Sequence, residues 1–307
     1  MKGYKLDKPS MTQARGRGSL EFGSRVAERE GSIMSIAAKE VVTIPPTMSI
    51  KGAAETMTKY GFRRLPVADP GTNRLLGIIG SSDIIDFLGG GDKVQIIQKR
   101  YRGNFLAAIN QSVREIMVTD VLSVSKDATI KDALNLIIKT RIGGVVVVDD
   151  DKKVLGIVTE HDLAFLLADK LTGKKVEEHM TKKVVTASPK TTLGEATKTM
   201  TENSFRRLPI VSDGKLVGML TTRTIIDFIG RNNIFAKIVE NKVDEVLKTR
   251  CEEIMKTGAA TVTKDMDLGD VARVIKDEGT GTVCVVEDGK LTGILTERDL
   301  VLALAKA

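Results

Sequence analysis

The chain has 307 residues, a net charge of +7 and an apolar fraction of 42%, values typical of a soluble protein with more than one hydrophobic core. It contains no run of 18 apolar residues, so we expect neither a membrane span nor a secretory signal. Its two cysteines form no framework, which fits a reducing cytoplasm, and an aromatic content of 4% disfavours base stacking with single-stranded nucleic acid.

Residues 1–32 differ from the rest of the chain. They carry seven Lys or Arg residues against four acidic residues and show no apolar periodicity. Such a segment cannot bury enough surface to offset its ordering entropy, so we predict a flexible basic arm. The arm is either a solvated tail or a contact for nucleic acid or a partner protein.

From residue 33 onward, one unit of about 60 residues recurs four times, over residues 33–90, 112–170, 175–230 and 250–307. Each copy begins with a short apolar strand, followed by a helix whose N-cap we place at Ser49, Thr129, Thr192 or Asp267. Two β-branched strands come next, and a second helix is predicted to begin after Asp83, Asp162, Thr224 or Asp299. The order strand-helix-strand-strand-helix predicts an α/β (α+β) fold of four tandem repeats.

The four copies alternate in character. Copies one and three share a Phe-Arg-Arg-Leu-Pro sequence, at residues 62–66 and 205–209, whereas copies two and four have glycines there, at residues 142–144 and 280–282. The alternation indicates that an ancestral pair of repeats was duplicated. The longer connections, about 89–112 and 230–250, are predicted to contain helices.

One line of each copy carries a family resemblance: GIIGSSD (77–83), GIVTEHD (156–162), GMLTTRT (218–224) and GILTERD (293–299). These lines resemble the Gly-apolar-apolar-Thr-x-x-Asp signature of CBS domains, the cystathionine β-synthase-type regulatory modules. The resemblance covers nearly all of residues 33–307 and implies two Bateman modules of two repeats each. In this arrangement the chain resembles the γ subunit of AMP-activated protein kinase and related archaeal four-repeat proteins, which bind adenosine ligands between paired repeats.

The resemblance implies how the sugar of such a ligand would be held. In the family, the signature aspartate accepts hydrogen bonds from the ribose hydroxyls and the threonine contacts the ribose–phosphate region. Asp162 with Thr159, and Asp299 with Thr296, complete this pattern. Asp83 keeps the carboxylate but has Gly80 at the threonine position, and Thr224 stands where the acid belongs in copy three. The Asp83 cleft would take Gly143 and Gly144 at its phosphate end, so it is expected to hold an uncharged adenosine compound or to stay empty. A helix-capping role is the alternative for these aspartates.

The resemblance also implies the phosphate and base ends of the clefts. In kinase γ subunits, the two positions before the Leu-Pro-Val strand reach the phosphate of the ligand held by the partner repeat. Here those positions are Arg63 and Arg64, expected near Asp162, and Arg206 and Arg207, expected near Asp299. On the base side we expect Gly143, Gly144 and Ser125 with Asp162, and Gly281, Thr282 and Thr263 with Asp299. Adjacent guanidinium groups match phosphate oxygens and repel each other without an anion, although ordinary ion pairing is the alternative.

We therefore expect a non-enzymatic, adenine-nucleotide-sensing regulatory protein that binds AMP, ADP or ATP and signals to an unidentified partner protein. No catalytic constellation is apparent, and His161 and His179 are not spaced as metal ligands with either cysteine. Two alternatives stay open: a nucleic-acid-associated or scaffold protein that uses the basic arm, and a sensor of S-adenosylmethionine or methylthioadenosine. The arginines argue against the second, since neither ligand carries a phosphate. A pseudo-symmetric monomer and a homodimer are both compatible with the sequence.

Overall fold

The computed structural model describes residues 31–168 and 170–305, so the predicted basic arm lies outside the described residues except for its last two. Repeat 1 consists of α1 (Ile50–Tyr60), β1 (Arg64–Ala68), β2 (Leu75–Gly80) and α2 (Ser81–Ile85), which continues into a π-helical turn (Asp86–Gly90). Repeat 2 follows a connection that contains α3 (Val94–Tyr101) and α4 (Phe105–Ile109). It consists of β3 (Ser123–Ser125), α5 (Ile130–Thr140), β4 (Gly144–Val148), β5 (Val154–Thr159) and α6 (Glu160–Ala164).

The second half of the chain repeats this order. After α7 (Val176–His179), repeat 3 consists of α8 (Leu193–Glu202), β6 (Arg207–Ser212), β7 (Lys215–Thr221) and α9 (Thr222–Gly230). The next connection contains α10 (Val243–Leu247), α11 (Cys251–Ile254) and β8 (Lys256–Thr257). Repeat 4 consists of β9 (Thr261–Val262), α12 (Leu268–Asp277), β10 (Thr282–Glu287), β11 (Lys290–Thr296) and α13 (Glu297–Ala305). The predicted α/β fold of four repeats is confirmed, and so are the helices in the two longer connections.

Helix caps explain why the first helix of each repeat begins where it does. The four predicted N-caps are confirmed, because each side chain accepts a hydrogen bond from a backbone N–H in the first helical turn: Ser49, Thr129, Thr192 and Asp267. The second helices begin three residues earlier than predicted, at Ser81, Glu160, Thr222 and Glu297. The signature aspartates are therefore third residues of their helices, where a carboxylate can bond back to the N-cap backbone.

The two repeats of a module pair through a strand that crosses a glycine. Val118, which precedes β3 of repeat 2, bridges to Ile78 of β2, and Ala38, which precedes α1 of repeat 1, bridges to Ile157 of β5. The signature glycines Gly77 and Gly156 lie under these crossings: a Cβ on Gly77 would meet the Val118 carbonyl oxygen at 3.0 Å. In the other module, Lys256 pairs with Met219 and Thr181 with Ile294 in the same way. Glycine is required here because any side chain would push the partner repeat away.

Helices join the two modules. One buried core contains the helices of repeats 1 and 3, with α1 packed on α9, and a second contains those of repeats 2 and 4. A smaller apolar cluster lies between the sheets of repeats 1 and 2. Within residues 31–168 and 170–305, every helix is too short or too polar to cross a lipid bilayer.

Two glycines permit a close approach between helices of the two modules. A Cβ on Gly230, at the end of α9, would lie 2.8 Å from the Ala54 carbonyl oxygen of α1 and still closer to Thr58 Oγ1. Across the pseudo-twofold axis, a Cβ on Gly90 would lie 2.9 Å from the Thr197 carbonyl oxygen of α8. The sequence aligns Gly230 with residue 89, but the π-helical turn adds one residue and places Gly90 at the contact.

We predict that Gly230→Ala destabilises the protein by about 1–3 kcal/mol. Alanine has the better helix propensity, by about 1 kcal/mol, but its methyl group would force α1 and α9 apart. Urea unfolding measures the change. Gly71→Ala is the control, because a Cβ there meets only Asp69 Oδ1 at an ordinary 3.5 Å. A Gly230→Ala protein as stable as wild type would contradict the close packing.

Candidate ligand-binding site

A cavity of about 1010 Å³ crosses the centre of the molecule and has an arm in each module. The first arm lies between repeats 1 and 2 and is lined by Val41, Val42, Pro66, Ile157, Thr159 and Asp162. The second lies between repeats 3 and 4 and is lined by Thr224, Ala259, Thr261, Gly281 and Thr282. The arms meet at Arg63, Arg64, Arg206, Arg207 and Glu297. The volume is at the upper end of the range for small-molecule sites.

Asp162 presents half of its carboxylate to the first arm. Its Oδ2 accepts hydrogen bonds from the backbone N–H of Thr159 at 2.8 Å and from Thr159 Oγ1 at 2.7 Å. Among the described residues, no group bonds to its Oδ1. The helix N-terminus thus fixes the side chain and leaves one anionic acceptor for a ligand.

The other two signature aspartates differ from each other. Asp299 repeats the Asp162 arrangement, since its Oδ2 accepts from Thr296 N and Thr296 Oγ1, both at 2.8 Å. Burial raises the pKa of Asp299, against the hydrogen bonds from Thr296, which lower it. Asp83 has both oxygens engaged, one by Gly80 N at 2.8 Å and the other by Lys93 Nζ at 3.0 Å. A ligand of Asp83 would first have to displace this lysine.

The four predicted arginines meet where the cavity arms join. Arg206 pairs with Glu160, and Arg63 Nη2 lies 2.9 Å from Glu297 Oε2. Arg207 Nη2 is 3.6 Å from the same Glu297 oxygen, and Arg64 donates to the Gly143 carbonyl. Sequence analysis missed the two glutamates, which are each only 1% exposed.

This centre holds more positive than negative charge. Burial, together with the charges of Arg206 and Arg63, lowers the pKa of Arg64 to about 10. Burial and the charge of Arg63 lower the pKa of Arg207 to about 9. Burial alone would raise the pKa of Glu297, but the hydrogen bond from His161 and the charges of Arg63 and Arg207 hold it well below its usual range. An anion in the cavity would offset the excess charge.

The four repeats match one protein family. The CBS domain model matches residues 33–90, 113–169, 176–231 and 251–306. The chain belongs to the CBS domain family. Protein MJ1225 of Methanocaldococcus jannaschii is 37% identical over 272 residues, which are 88% of this chain and 97% of that protein. An uncharacterized 33.4 kDa protein from a ribosomal RNA operon of Thermofilum pendens is 31% identical over 266 residues, 87% of this chain and 88% of the relative.

Solved structures show the same arrangement of CBS repeats. The crystal structure of MJ1225, described as a candidate archaeal homologue of g-AMPK, has a TM-score of 0.83 and 36% identity, and covers 89% of this chain and 99% of its own. A conserved protein of Pyrococcus horikoshii, with 22% identity and a TM-score of 0.56 over 89% of this chain and 99% of its own, shares the fold. CBS-pair proteins are ligand-binding regulatory modules, and the chain is one of them.

The CBS pairing distributes the predicted base-side residues differently from our expectation. Ser125 follows the segment that crosses β2, so the topology associates it with Asp83. Thr263 follows β8, which pairs with β7, the strand that leads to Thr224. Gly281 and Thr282 line the second arm with Thr224, whereas Gly143, Gly144, Thr296 and Asp299 are not among the residues that line this cavity. The reason is the crossing: each cleft combines the second helix of one repeat with the first segment of its partner, which in repeats 1 and 3 forms single bridges at Ile44 and Ala187 and not the predicted strand. In the first arm, Val41 and Val42 therefore occupy the base side.

Glu160 and Glu297 could have been found from the sequence by the alternation of the repeats. Both follow the signature threonine in repeats 2 and 4, where the motif reads Thr-Glu, and the arginine pairs occur only in repeats 1 and 3. The matching positions in repeats 1 and 3 are Ser81 and Thr222, which hydrogen-bond to each other at 3.1 Å. This position is therefore a glutamate in repeats 2 and 4, where it faces the arginines, and a neutral hydroxyl residue in repeats 1 and 3.

We predict that Arg207→Met increases the free energy of unfolding of the ligand-free protein, by about 1 kcal/mol or more, because it removes a buried cation from a centre with excess positive charge. Arg206→Met is the matched comparison and should destabilise, since it leaves the buried Glu160 with only Arg298, at 3.0 Å. Urea unfolding of ligand-stripped protein measures both. Equal destabilisation by the two variants would contradict the proposed charge imbalance.

Proposed function

We propose that this CBS protein binds adenine nucleotides, AMP, ADP or ATP, between paired repeats and acts as a regulatory sensor without catalysing a reaction. The observation that carries the proposal is that one cavity is lined both by Asp162, with a free carboxylate oxygen, and by Arg63 and Arg64. The first suits ribose hydroxyls and the second suits phosphate oxygens. The similarity to a candidate homologue of g-AMPK supports the same class of ligand.

Each part of the first arm has a suitable chemical counterpart in a nucleotide. Val41, Val42, Pro66 and Ile157 give an apolar wall for a purine ring, and Asp162 lies at the helix start beside it. The arginines lie at the joined end of the arms, where a 5′-phosphate would relieve their mutual repulsion. We assign a second nucleotide to Asp299 and Thr296 because repeat 4 carries the same Thr-x-x-Asp motif as Thr159 and Asp162, and this second site lies outside the cavity described above.

One similar protein is an enzyme, but the similarity covers only part of it. Inosine-5′-monophosphate dehydrogenase of Aquifex aeolicus is 30% identical over 172 residues, which are 52% of this chain but 34% of that enzyme. We therefore propose that the chain shares its regulatory part with such enzymes and not a catalytic part. A ligand that binds one relative setting of the two modules better than another would shift the protein toward that setting.

Calorimetric titration of the ligand-stripped protein tests the proposal. We expect AMP and ATP to bind in the micromolar range, near two sites per chain, and adenosine to bind much more weakly because it lacks the phosphate. Tighter binding of S-adenosylmethionine than of nucleotides would instead support the sulfonium-ligand alternative. If no adenosine compound binds, the proposal is wrong, and salt-dependent DNA or RNA binding through residues 1–32 becomes the next measurement.

We predict that Asp162→Asn lowers the affinity of one of the two nucleotide sites by about 10- to 100-fold, the cost of a charge-assisted hydrogen bond. Asp132→Asn is a close control. Asp132 accepts from Thr129 N at 2.9 Å and Thr129 Oγ1 at 2.7 Å, just as Asp162 accepts from Thr159, but Asp132 caps an exposed helix end. Both variants should lose similar stability, and only Asp162→Asn should lose binding. Calorimetry that finds two unchanged sites in Asp162→Asn would remove Asp162 from the site.

A further inference from the structure

Glu297 contacts every other repeat from its place in repeat 4. Its Oε2 lies 2.9 Å from Arg63 Nη2 of repeat 1 and 3.6 Å from Arg207 Nη2 of repeat 3. Its Oε1 lies 2.6 Å from His161 Nδ1 of repeat 2 and 3.3 Å from Arg63 Nη2. The carboxylate thus ties the second module to the first through two side chains.

Glu160 joins the first module to the second in the same way. It belongs to repeat 2, and it pairs with Arg206 of repeat 3 and with Arg298 of repeat 4, the latter at 3.0 Å. The two glutamates therefore form a reciprocal set of ion pairs across the interface between the modules. Buried ion pairs of this kind add little net stability over apolar packing, so their presence calls for another role.

Arg63, which Glu297 holds, is one of the two arginines proposed above for the ligand phosphate, and Arg206, which Glu160 holds, lines the same cavity. A carboxylate and a phosphate offer the same chemistry to a guanidinium group, two or more anionic oxygens in a fork. Arg63 donates to both oxygens of Glu297 through Nη2, so a phosphate that binds this nitrogen displaces the carboxylate.

We propose that Glu160 and Glu297 are internal competitors for the phosphate-binding arginines, so that binding of a phosphorylated ligand and release of the ion pairs between the modules are one event. This inference rests on the proposed function for the identity of the ligand. It goes further in naming the regulation: a phosphorylated ligand loosens the contacts that fix the relative setting of the modules, whereas an uncharged ligand in the same cleft leaves them intact. The coupling is set by charge and does not require a separate effector site.

Glu297→Gln in the full chain tests the competition. The amide keeps the shape of the side chain but holds guanidinium groups less strongly, so AMP and pyrophosphate should each bind about tenfold tighter or more. Adenosine should change by less than about twofold, since it carries no anion to compete. Glu287→Gln is the control: Glu287 forms an exposed ion pair with Lys264 at 2.7 Å, remote from the arginines, and its removal should change neither affinity.

The outcomes separate this inference from the proposed function. If the wild type binds pyrophosphate but not AMP, and Glu297→Gln binds pyrophosphate more tightly, the nucleotide proposal fails and the competition stands. If the wild type binds AMP, and Glu297→Gln binds both AMP and pyrophosphate no more tightly, the competition is overturned while the nucleotide proposal stands. If the wild type binds neither, both are overturned.

A second variant and a crystal structure test the proposal even if Glu297→Gln does not fold. Glu160→Gln should have the same effect through Arg206, and circular dichroism verifies that each variant unfolds cooperatively. A crystal structure of the wild type with AMP should show Arg63–Glu297 or Arg206–Glu160 separated beyond about 4 Å, the limit for an ion pair. Both pairs intact beside a bound phosphate would overturn the proposal without any variant.

Discussion

The crossing of one repeat over a glycine of its partner is the constraint on which the rest of the molecule depends. Beside Gly77 and Gly156, the first segment of one repeat forms backbone hydrogen bonds with the last strand of the other, between Val118 and Ile78 at 2.9 Å and from Ala38 N to the Ile157 carbonyl at 3.0 Å. Each crossing segment continues into the base-side residues of its own repeat. The strands that are crossed, β2 and β5, lead to the signature aspartates Asp83 and Asp162. The crossing therefore decides which base-side residues meet which aspartate, and the clefts follow from it.

The repeat pattern made much of the fold predictable. N-cap residues, capping acids and the alternation of strands and helices are local features, so Thr129 and Asp132 could be assigned from the sequence and lie as expected. The partnership between an aspartate and a strand is different, because it depends on an antiparallel crossing between segments far apart in the chain. Asp162 and Arg63, which the sequence analysis grouped together, line one cavity, whereas Ser125, grouped with Asp162, lies on the strand that follows the crossing of β2 toward Asp83.

The glutamates at the centre illustrate a second limit of local reasoning. Glu160 and Glu297 stand at a helix start, where an acidic residue needs no further explanation than the helix dipole. Only the packing of the two modules brings each of them to arginines of the other module and buries them to 1% exposure. Their charge thus has a local cause and a long-range consequence, and the consequence is visible only in the assembled chain.

The charges at the centre also explain why the protein would keep an arrangement that does not maximise its stability. Apolar residues between the modules would pack as well and would avoid the desolvation of two carboxylates and several guanidinium groups. Such an interface would also have only one setting, because nothing in it could exchange one partner for another. Ion pairs can exchange a carboxylate for a phosphate at little cost in charge, since one anion replaces another next to the same arginines. A centre that holds more arginines than glutamates favours that exchange whenever an anionic ligand enters. The same residues that weaken the unligated interface therefore make its setting depend on the ligand.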